Sequence, residues 1–227
     1  MARRSTGRNI HGILLLDKPA GLSSNQALQF VRRLLQARKA GHTGSLDPFA
    51  TGMLPVCLGE ASKTAAFMLQ AGKSYRAVAS LGQATNTGDI EGEVVKEQPI
   101  PHLEIQQIET VLGSFTGPIS QVPPMYSALK HQGQPLYKLA RQGLEVERKP
   151  RQLMIHQLEL LFWEPPLLAF RVQCSKGTYI RTLAEDLCVR LGSCGHLQSL
   201  HRLAVDPFAP DALVSMSELE QAVAQGR

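Results

Sequence analysis

The chain has 227 residues, 43% of them hydrophobic, enough to bury roughly 70% of the surface its unfolded form exposes, so one large domain, or one domain with a tail, is expected. No run of about 18 uninterrupted apolar residues is present to span a bilayer, and the start Met1-Ala2-Arg3-Arg4-Ser5 is basic with no apolar stretch behind it, which excludes a secretory leader from the reading and makes a cytoplasmic protein the expectation. The formal charge of +5 is unevenly placed, +7 over residues 1–39, +4 over residues 124–151 and −6 over the rest, the footprint of a nucleic-acid binder or, equally, two ordinary solvated faces.

Residues 1–9 are basic and polar and read as a mobile arm. Gly12-Ile13-Leu14-Leu15-Leu16, closed by Asp17-Lys18-Pro19-Ala20-Gly21, predicts a buried strand and a turn. Ser23 or Ser24 then caps a helix to about residue 37, with Ala27, Val31, Leu34 and Leu35 on one face and Arg32 and Arg33 turned away. Next comes Gly41-His42-Thr43-Gly44-Ser45-Leu46-Asp47-Pro48-Phe49-Ala50-Thr51-Gly52. Three glycines among small polar residues make poor helix and poor strand, so a shaped loop is expected whose backbone approaches something closely. Asp47 has two readings here: a functional carboxylate, or the cap of a short helix opening at Pro48. Residues 53–58 are apolar and residues 61–69 carry a helical pattern. Gly59-Glu60-Ala61-Ser62-Lys63-Thr64 lacks the glycine before lysine that a phosphate-binding loop needs, so no nucleotide cofactor is expected.

From residue 74 to 81, Tyr75, Ala77, Ala79 and Leu81 alternate with Arg76, Val78 and Ser80, a period of two that predicts a strand. A loop over 83–89, a strand over 92–96, a helix carrying Ile105, Ile108 and Leu112 and stopped near Gly113, and a connector over 117–124 follow. Residues 123–151 are basic and hold little apolar material; a strand and turn before Gly133 and a short helix with Pro135 at its first position and Gly143 past its end are expected. Pro165-Pro166 between residues 153–163 and 168–174 signals a hairpin. Trp163, the single tryptophan, falls to core or rim packing. A helix over 179–191 presents Leu183, Leu187 and Leu191 on one face and stops at Gly192, with Arg181 in its opening turn. A strand over 196–205 comes next, and Ser215-Met216-Ser217-Glu218 is a capping box before a helix ending near residue 224. Cys57, Cys174, Cys188 and Cys194 show no C-x-x-C spacing and read as reduced thiols, and the grouping of Cys188, Cys194, His196 and His201 fits no usual zinc pattern, so no metal is expected. Strands and helices mix without regular alternation, which favours an α+β fold with a mostly antiparallel sheet.

The stretch GHTGSLDPFATG resembles the catalytic loop of the TruB family of bacterial tRNA pseudouridine synthases. Gly72-Lys73-Ser74-Tyr75-Arg76-Ala77 and Ser175-Lys176-Gly177-Thr178-Tyr179-Ile180-Arg181-Thr182-Leu183-Ala184-Glu185-Asp186-Leu187 resemble the same family in the same order, and the similarity runs over residues 12–205. The resemblance implies the pseudouridine synthase fold, a central mixed sheet flanked by helices. It also implies conversion of a T-loop uridine of tRNA, position 55, to pseudouridine. Asp47 would be the essential carboxylate, Arg181 its partner, and Tyr75 the ring that stacks on the extracted base and accepts a proton. His42 would fill the place the base vacates, and Leu203 would line the base pocket. Lys18 lies in Asp-Lys-Pro-x-Gly-x-Ser-Ser, which resembles the family motif that shapes the substrate cleft. Lys18, Gly44 and Lys130 are accordingly expected in substrate binding, and residues 123–151 match in position a thumb-like RNA-gripping insertion that orders on RNA. The implied partner is the T-arm stem-loop of tRNA, with no cofactor, no membrane and a monomeric state. The small C-terminal RNA-binding module, often of PUA type, that many members carry is expected to be absent.

These residue types suit the chemistry. Moving C1′ from N1 to C5 of uracil requires a nucleophile or an anion beside C1′, and a carboxylate supplies either. A carboxylate shielded from water stays ionised only with a partner. Arg181 sits where the helix dipole disfavours a cation, which favours a specific partner for it.

Overall fold

The computed structural model describes residues 7–208 and 212–226, so most of the arm assigned to residues 1–9 lies outside the described residues. In chain order the strands are β1 (Gly12–Lys18), β2 (Ala40–His42), β3 (Thr51–Leu58), β4 (Lys73–Leu81), β5 (Gln83–Thr85), β6 (Val94–Glu97), β7 (Gly117–Gln121), β8 (Lys130–His131), β9 (Gln134–Pro135), β10 (Arg151–Glu164), β11 (Leu167–Cys174), β12 (Gly195–Val205) and β13 (Val214–Ser215). The helices are α1 (Ser24–Leu34), α2 (Ala65–Met68), α3 (Ile105–Ser114), α4 (Leu136–Ala140), α5 (Ile180–Arg190) and α6 (Met216–Ala224). They fall into two compact units, one built from the chain up to Tyr75 together with the segment from Leu200, the other from Arg76–Ser199.

In the first unit the strand order is β13-β1-β3-β12, with β2 also on β3. β1 and β3 run antiparallel from Gly12↔Leu58 to Lys18↔Gly52, while β13 joins β1 and β12 joins β3 in parallel. The apolar run of β1 is continuous because both its faces are covered, and Leu16 meets Leu54, Val56 and Leu58 under Ala27, Leu28 and Val31 of α1 and Leu219 of α6. α1 starts on a capping box in which the Gln26 amide donates to Ser23 Oγ (3.2 Å) and the Ser23 amide to Gln26 Oε1 (2.8 Å). It ends three residues before the expected residue 37, because Gln36 takes a positive φ of 52° and Ala37 turns into a bridge with Arg8. The helix expected over 61–69 is instead a 3₁₀ turn, Gly59–Lys63, followed by the single turn of α2, neither of which buries a residue. α6 follows the expected box, the Glu218 amide donating to Ser215 Oγ.

In the second unit the order is β12-β4-β11-β10-β7. β10 and β11 form the hairpin signalled by the proline pair. β7 occupies what reads as a connector in sequence, because β10 begins early enough, at Arg151, to pair with it down to Ile155↔Gly117. Of the three isoleucine and leucine positions expected inside α3, Ile108 and Leu112 are buried but Ile105, its first residue, is exposed. The basic segment holds the tight β8–β9 hairpin and α4, with Pro135 as the cap rather than the first helical residue, and one buried anchor, Leu136. The sheet pairing is thus mixed and mostly antiparallel, with helices alongside. Among the described residues no helix is long and apolar enough to cross a membrane.

Candidate active site

Asp47 caps no helix. Residues 43–50 form an irregular loop between β2 and β3, and Gly41, His42, Thr51 and Gly52, at the ends of the expected loop, belong to those strands. Such a loop keeps one shape only if its polar backbone groups are met, and three buried side chains meet them. Ser24, in the first turn of α1, accepts from the Leu46 amide (2.7 Å) and donates back to the Leu46 carbonyl (3.0 Å). Lys18, fully buried at the end of β1, donates from Nζ to the carbonyls of Leu22 (2.6 Å), Pro19 (2.8 Å) and Pro48 (3.3 Å). Arg202, also fully buried, donates from Nε to Met53 O (2.7 Å) and from its two Nη atoms to Gly44 O (3.2 Å) and Ser45 O (3.5 Å). The Gly21 amide adds a bond to Pro48 O (2.8 Å) and the Ala50 amide one to Asp47 O (3.1 Å). Asp47 therefore sits, half-buried, between a residue pinned by Ser24 and a residue pinned by Lys18.

Glycine is required at Gly52: its φ is +98°, and a Cβ there would run into the backbone oxygen of Arg202. Gly44, at φ +106°, faces Lys73 and Arg202. His42 lies beside this cation, and burial first, then the Arg202 charge, holds its imidazole below the ordinary histidine value, so the ring is neutral at pH 7. Its Nδ1 is buried with no hydrogen-bond partner. Tyr75 is buried on β4, and Leu203, half-buried, follows Arg202 on β12. Loop, tyrosine, histidine, Lys18, Gly44 and Leu203 all belong to the first unit.

Arg181 and Lys130 belong to the second. Arg181 is buried in the first turn of α5, where its Nη1 lies 3.3 Å from Asp89 Oδ2 and donates to Thr87 O (2.8 Å), and its Nη2 donates to Tyr126 O (2.6 Å). Asp89 is itself organised, accepting at Oδ1 from Thr87 Oγ1 (2.6 Å) and the Glu91 amide (3.1 Å). The guanidinium is thus held by an acid and two carbonyls, which offset the unfavourable helix dipole. One turn further along α5, burial and the neighbouring Asp186 push the Glu185 carboxyl up to about 7, with Asp89 adding to the effect and Arg181 opposing it. Lys130 is exposed at the edge of the β8–β9 hairpin, where its charge is open to solvent. Among the described residues no group of three His, Cys, Asp or Glu side chains is arranged to hold a metal ion.

Asp89 and Arg202 are the residues sequence reasoning missed, while Ser24, read as a cap candidate within Asp-Lys-Pro-x-Gly-x-Ser-Ser, was given no site role of its own. Arg202 left one trace, a cation in the middle of an otherwise strand-like run; Asp89 left only its place in a Thr-Gly-Asp turn.

Residues 32–180 match the TruB family pseudouridylate synthase N-terminal domain and residues 181–227 the tRNA pseudouridylate synthase B C-terminal domain. A tRNA pseudouridine synthase B of Nitrosococcus oceani is 56% identical over 218 residues, covering 96% of this chain and 71% of that protein, and one of Coxiella burnetii is 54% identical over 214 residues, covering 94% and 69%. Among solved structures, a chain of a Cbf5-Nop10-Gar1 complex matches with a TM-score of 0.76 at 29% identity over 96% of this chain and 57% of that one. A chain of an H/ACA RNP bound to a substrate RNA containing 2′-deoxyuridine matches with a TM-score of 0.72 at 26% identity, covering 96% and 56%.

Proposed function

We propose that this chain, which belongs to the TruB family of tRNA pseudouridine synthases, a family of isomerases, converts the T-loop uridine at position 55 of tRNA to pseudouridine with Asp47 as its essential carboxylate. The observation that carries the reading is the fixed loop around Asp47, clamped through backbone carbonyls and amides by Lys18, Ser24 and Arg202. Such fixing leaves the carboxylate preorganised, with no reorganisation left for the moment of reaction.

The target base is first taken out of the stack, at a cost of a few kcal/mol. Neutral His42 enters the T-loop in its place, with no charge to desolvate as it does so. Tyr75 stacks on the extracted uracil, a contact worth about 1–3 kcal/mol per base. The C1′–N1 bond then breaks with Asp47 beside C1′, the base rotates, C5 joins C1′, and the C5 proton leaves to a base for which the Tyr75 oxygen is the candidate. N1 ends protonated, so atoms and electrons balance without redox or phosphoryl chemistry. The role assigned to Arg181, from the motif in which it stands, is to keep Asp47 ionised. Leu203 lines the base pocket beside Gly44, and Lys18 serves binding indirectly, by fixing Pro48. Residues 123–151 form the RNA-gripping thumb, with Lys130 meeting phosphate. The two relatives above named as tRNA enzymes share 54–56% identity with this chain, against 26–29% for the chains from the Cbf5-Nop10-Gar1 and H/ACA RNP structures, which favours tRNA as the substrate.

The test is tritium release from C5-labelled uridine in a T-arm stem-loop. Release by the wild-type protein and none by Asp47→Asn is expected. Binding without release by the wild-type protein, on both the stem-loop and full-length tRNA, would sink the reading.

A further inference from the structure

Glu185 is a half-buried acid, with its carboxyl pushed up to about 7, to which the proposed reaction gives no task. A Cβ built on Gly88 would stand 3.0 Å from its Cδ, Oε1 and Oε2 alike, so the carboxyl group lies flat on that glycine. Gly88 offers it nothing in return: its amide donates to Thr85 O (3.2 Å) and its carbonyl accepts from the Leu197 amide (3.0 Å). Among the described residues no donor reaches the Glu185 oxygens. Gly88 also lies between Thr87, whose carbonyl takes Arg181 Nη1, and Asp89, whose carboxylate pairs with the same guanidinium.

Arg181 and Glu185 are four residues apart on α5, hence on one face of the helix. Glu185 further lines a cavity of about 490 Å³ with Thr182, whose buried hydroxyl has no partner, and with Tyr126, whose carbonyl takes Arg181 Nη2. We infer that Glu185 is a positioning residue for uridine isomerisation: its carboxyl group, seated on Gly88, governs the grip of the Thr87–Asp89 turn on Arg181. The inference rests on the proposed role of Arg181.

With its proton on, Glu185 is a neutral pad under the turn, and Asp89 is the single full anion that this turn sets against Arg181. With its proton off, a second anion stands one helical turn from the guanidinium and against Asp89, which competes for the guanidinium charge and pushes on the turn. The charged and titratable groups around it are Arg181, Asp186 and Cys188 on its own helix, Asp89 on the turn, and Glu145 and Arg148 across the cavity. Arg148 is already committed to Glu145 (2.7 Å) and to Pro123 O (3.3 Å). Burial and Asp186 bring the Glu185 ionisation to about 7.

The experiment is single-turnover tritium release with saturating enzyme, across pH, for the wild-type protein and Glu185→Gln, which keeps the shape and cannot ionise. With a midpoint near 7, the Glu185→Gln to wild-type rate ratio should rise about fivefold from pH 7 to pH 8, with RNA affinity of the two proteins moving in parallel. A ratio that does not change with pH overturns the inference. Arg181→Ala, run alongside, separates the two readings: if it releases tritium like the wild-type protein, the role of Arg181 fails and this inference with it. If it is inactive while the Glu185→Gln ratio is flat, the inference alone fails.

Discussion

Arg202→Met tests whether the Asp47 loop is held as described. Methionine keeps the buried side chain only as far as the position of Nε and removes its charge and all its donors. The bond to Ser45 O, at 3.5 Å, is at the limit of a hydrogen bond, so those to Met53 O (2.7 Å) and Gly44 O (3.2 Å) carry the effect. A hydrogen bond from a charged donor contributes about 1.5–3 kcal/mol, and a carbonyl left unmet inside the protein costs a similar amount. Against this, the desolvation of the guanidinium is relieved. A net loss of about 2–4 kcal/mol is expected, a large fraction of the ~5–15 kcal/mol available to a domain.

Urea unfolding reads it as a lowered midpoint at unchanged slope. A second readout is specific to the charge. Burial is the larger cause of the lowered His42 pKa and Arg202 the smaller, so in Arg202→Met the imidazole should move up toward, but not reach, its ordinary value of about 6.5, as read by the ring-proton shift against pH. The sign of the linked effect follows. A histidine lowered by folding binds its proton more weakly in the native state, so its contribution to stability is full above about 6.5 and is lost as pH falls through the lowered value; the variant narrows that window. Stability within about 1 kcal/mol of wild type, together with an unmoved His42 titration, would refute the clamp.

Ser24→Ala removes both bonds to Leu46 and should cost about 1–3 kcal/mol in urea unfolding, with a lower single-turnover rate at saturating RNA; an unchanged rate would mean Leu46 does not position Asp47. Gly52→Ala forces a side chain to φ +98° against the Arg202 backbone and should cost about 3 kcal/mol or more. A melting temperature equal to that of the wild-type protein would show the β3–β12 approach to be looser than described. All four cysteines are buried and free, and burial with Cys194 and Glu185 nearby pushes the Cys188 thiol up to about 12. At pH 8 about one molecule in 10⁴ carries the Cys188 thiolate, so a disulfide reagent should label Cys188 only as fast as the protein unfolds. Rapid native labelling would contradict that burial.

The elements legible in the sequence were those whose signal is local. The period of two in β4, the serine cap of α1, the capping box of α6, the hairpin of β10 and β11 and the leucine face of α5 each depend on residues a few positions apart, and each formed where it was read. β7 was not legible because its residues, from Gly117 to Gln121, become a strand only when β10 arrives beside them, thirty or more residues later. The helix pattern over 61–69 failed for the converse reason. Its apolar positions stay out of the core, with Phe67 and Leu69 exposed, and only one α-helical turn survives. At the candidate site the division is sharper still. Asp47, Tyr75 and Arg181 stand inside motifs, where neighbours in sequence carry the signal. Arg202 and Asp89 act through groups far along the chain, Met53 O and the Arg181 guanidinium, and a buried charge leaves no local periodicity to read. An arginine inside a strand pattern is the one cue such a residue can leave, because burying it requires several carbonyls to converge on it. Arg202 thus raises a question that its neighbour Leu203 does not: which backbone groups meet its charge. The answer, Gly44, Ser45 and Met53, leads straight to the loop that carries Asp47.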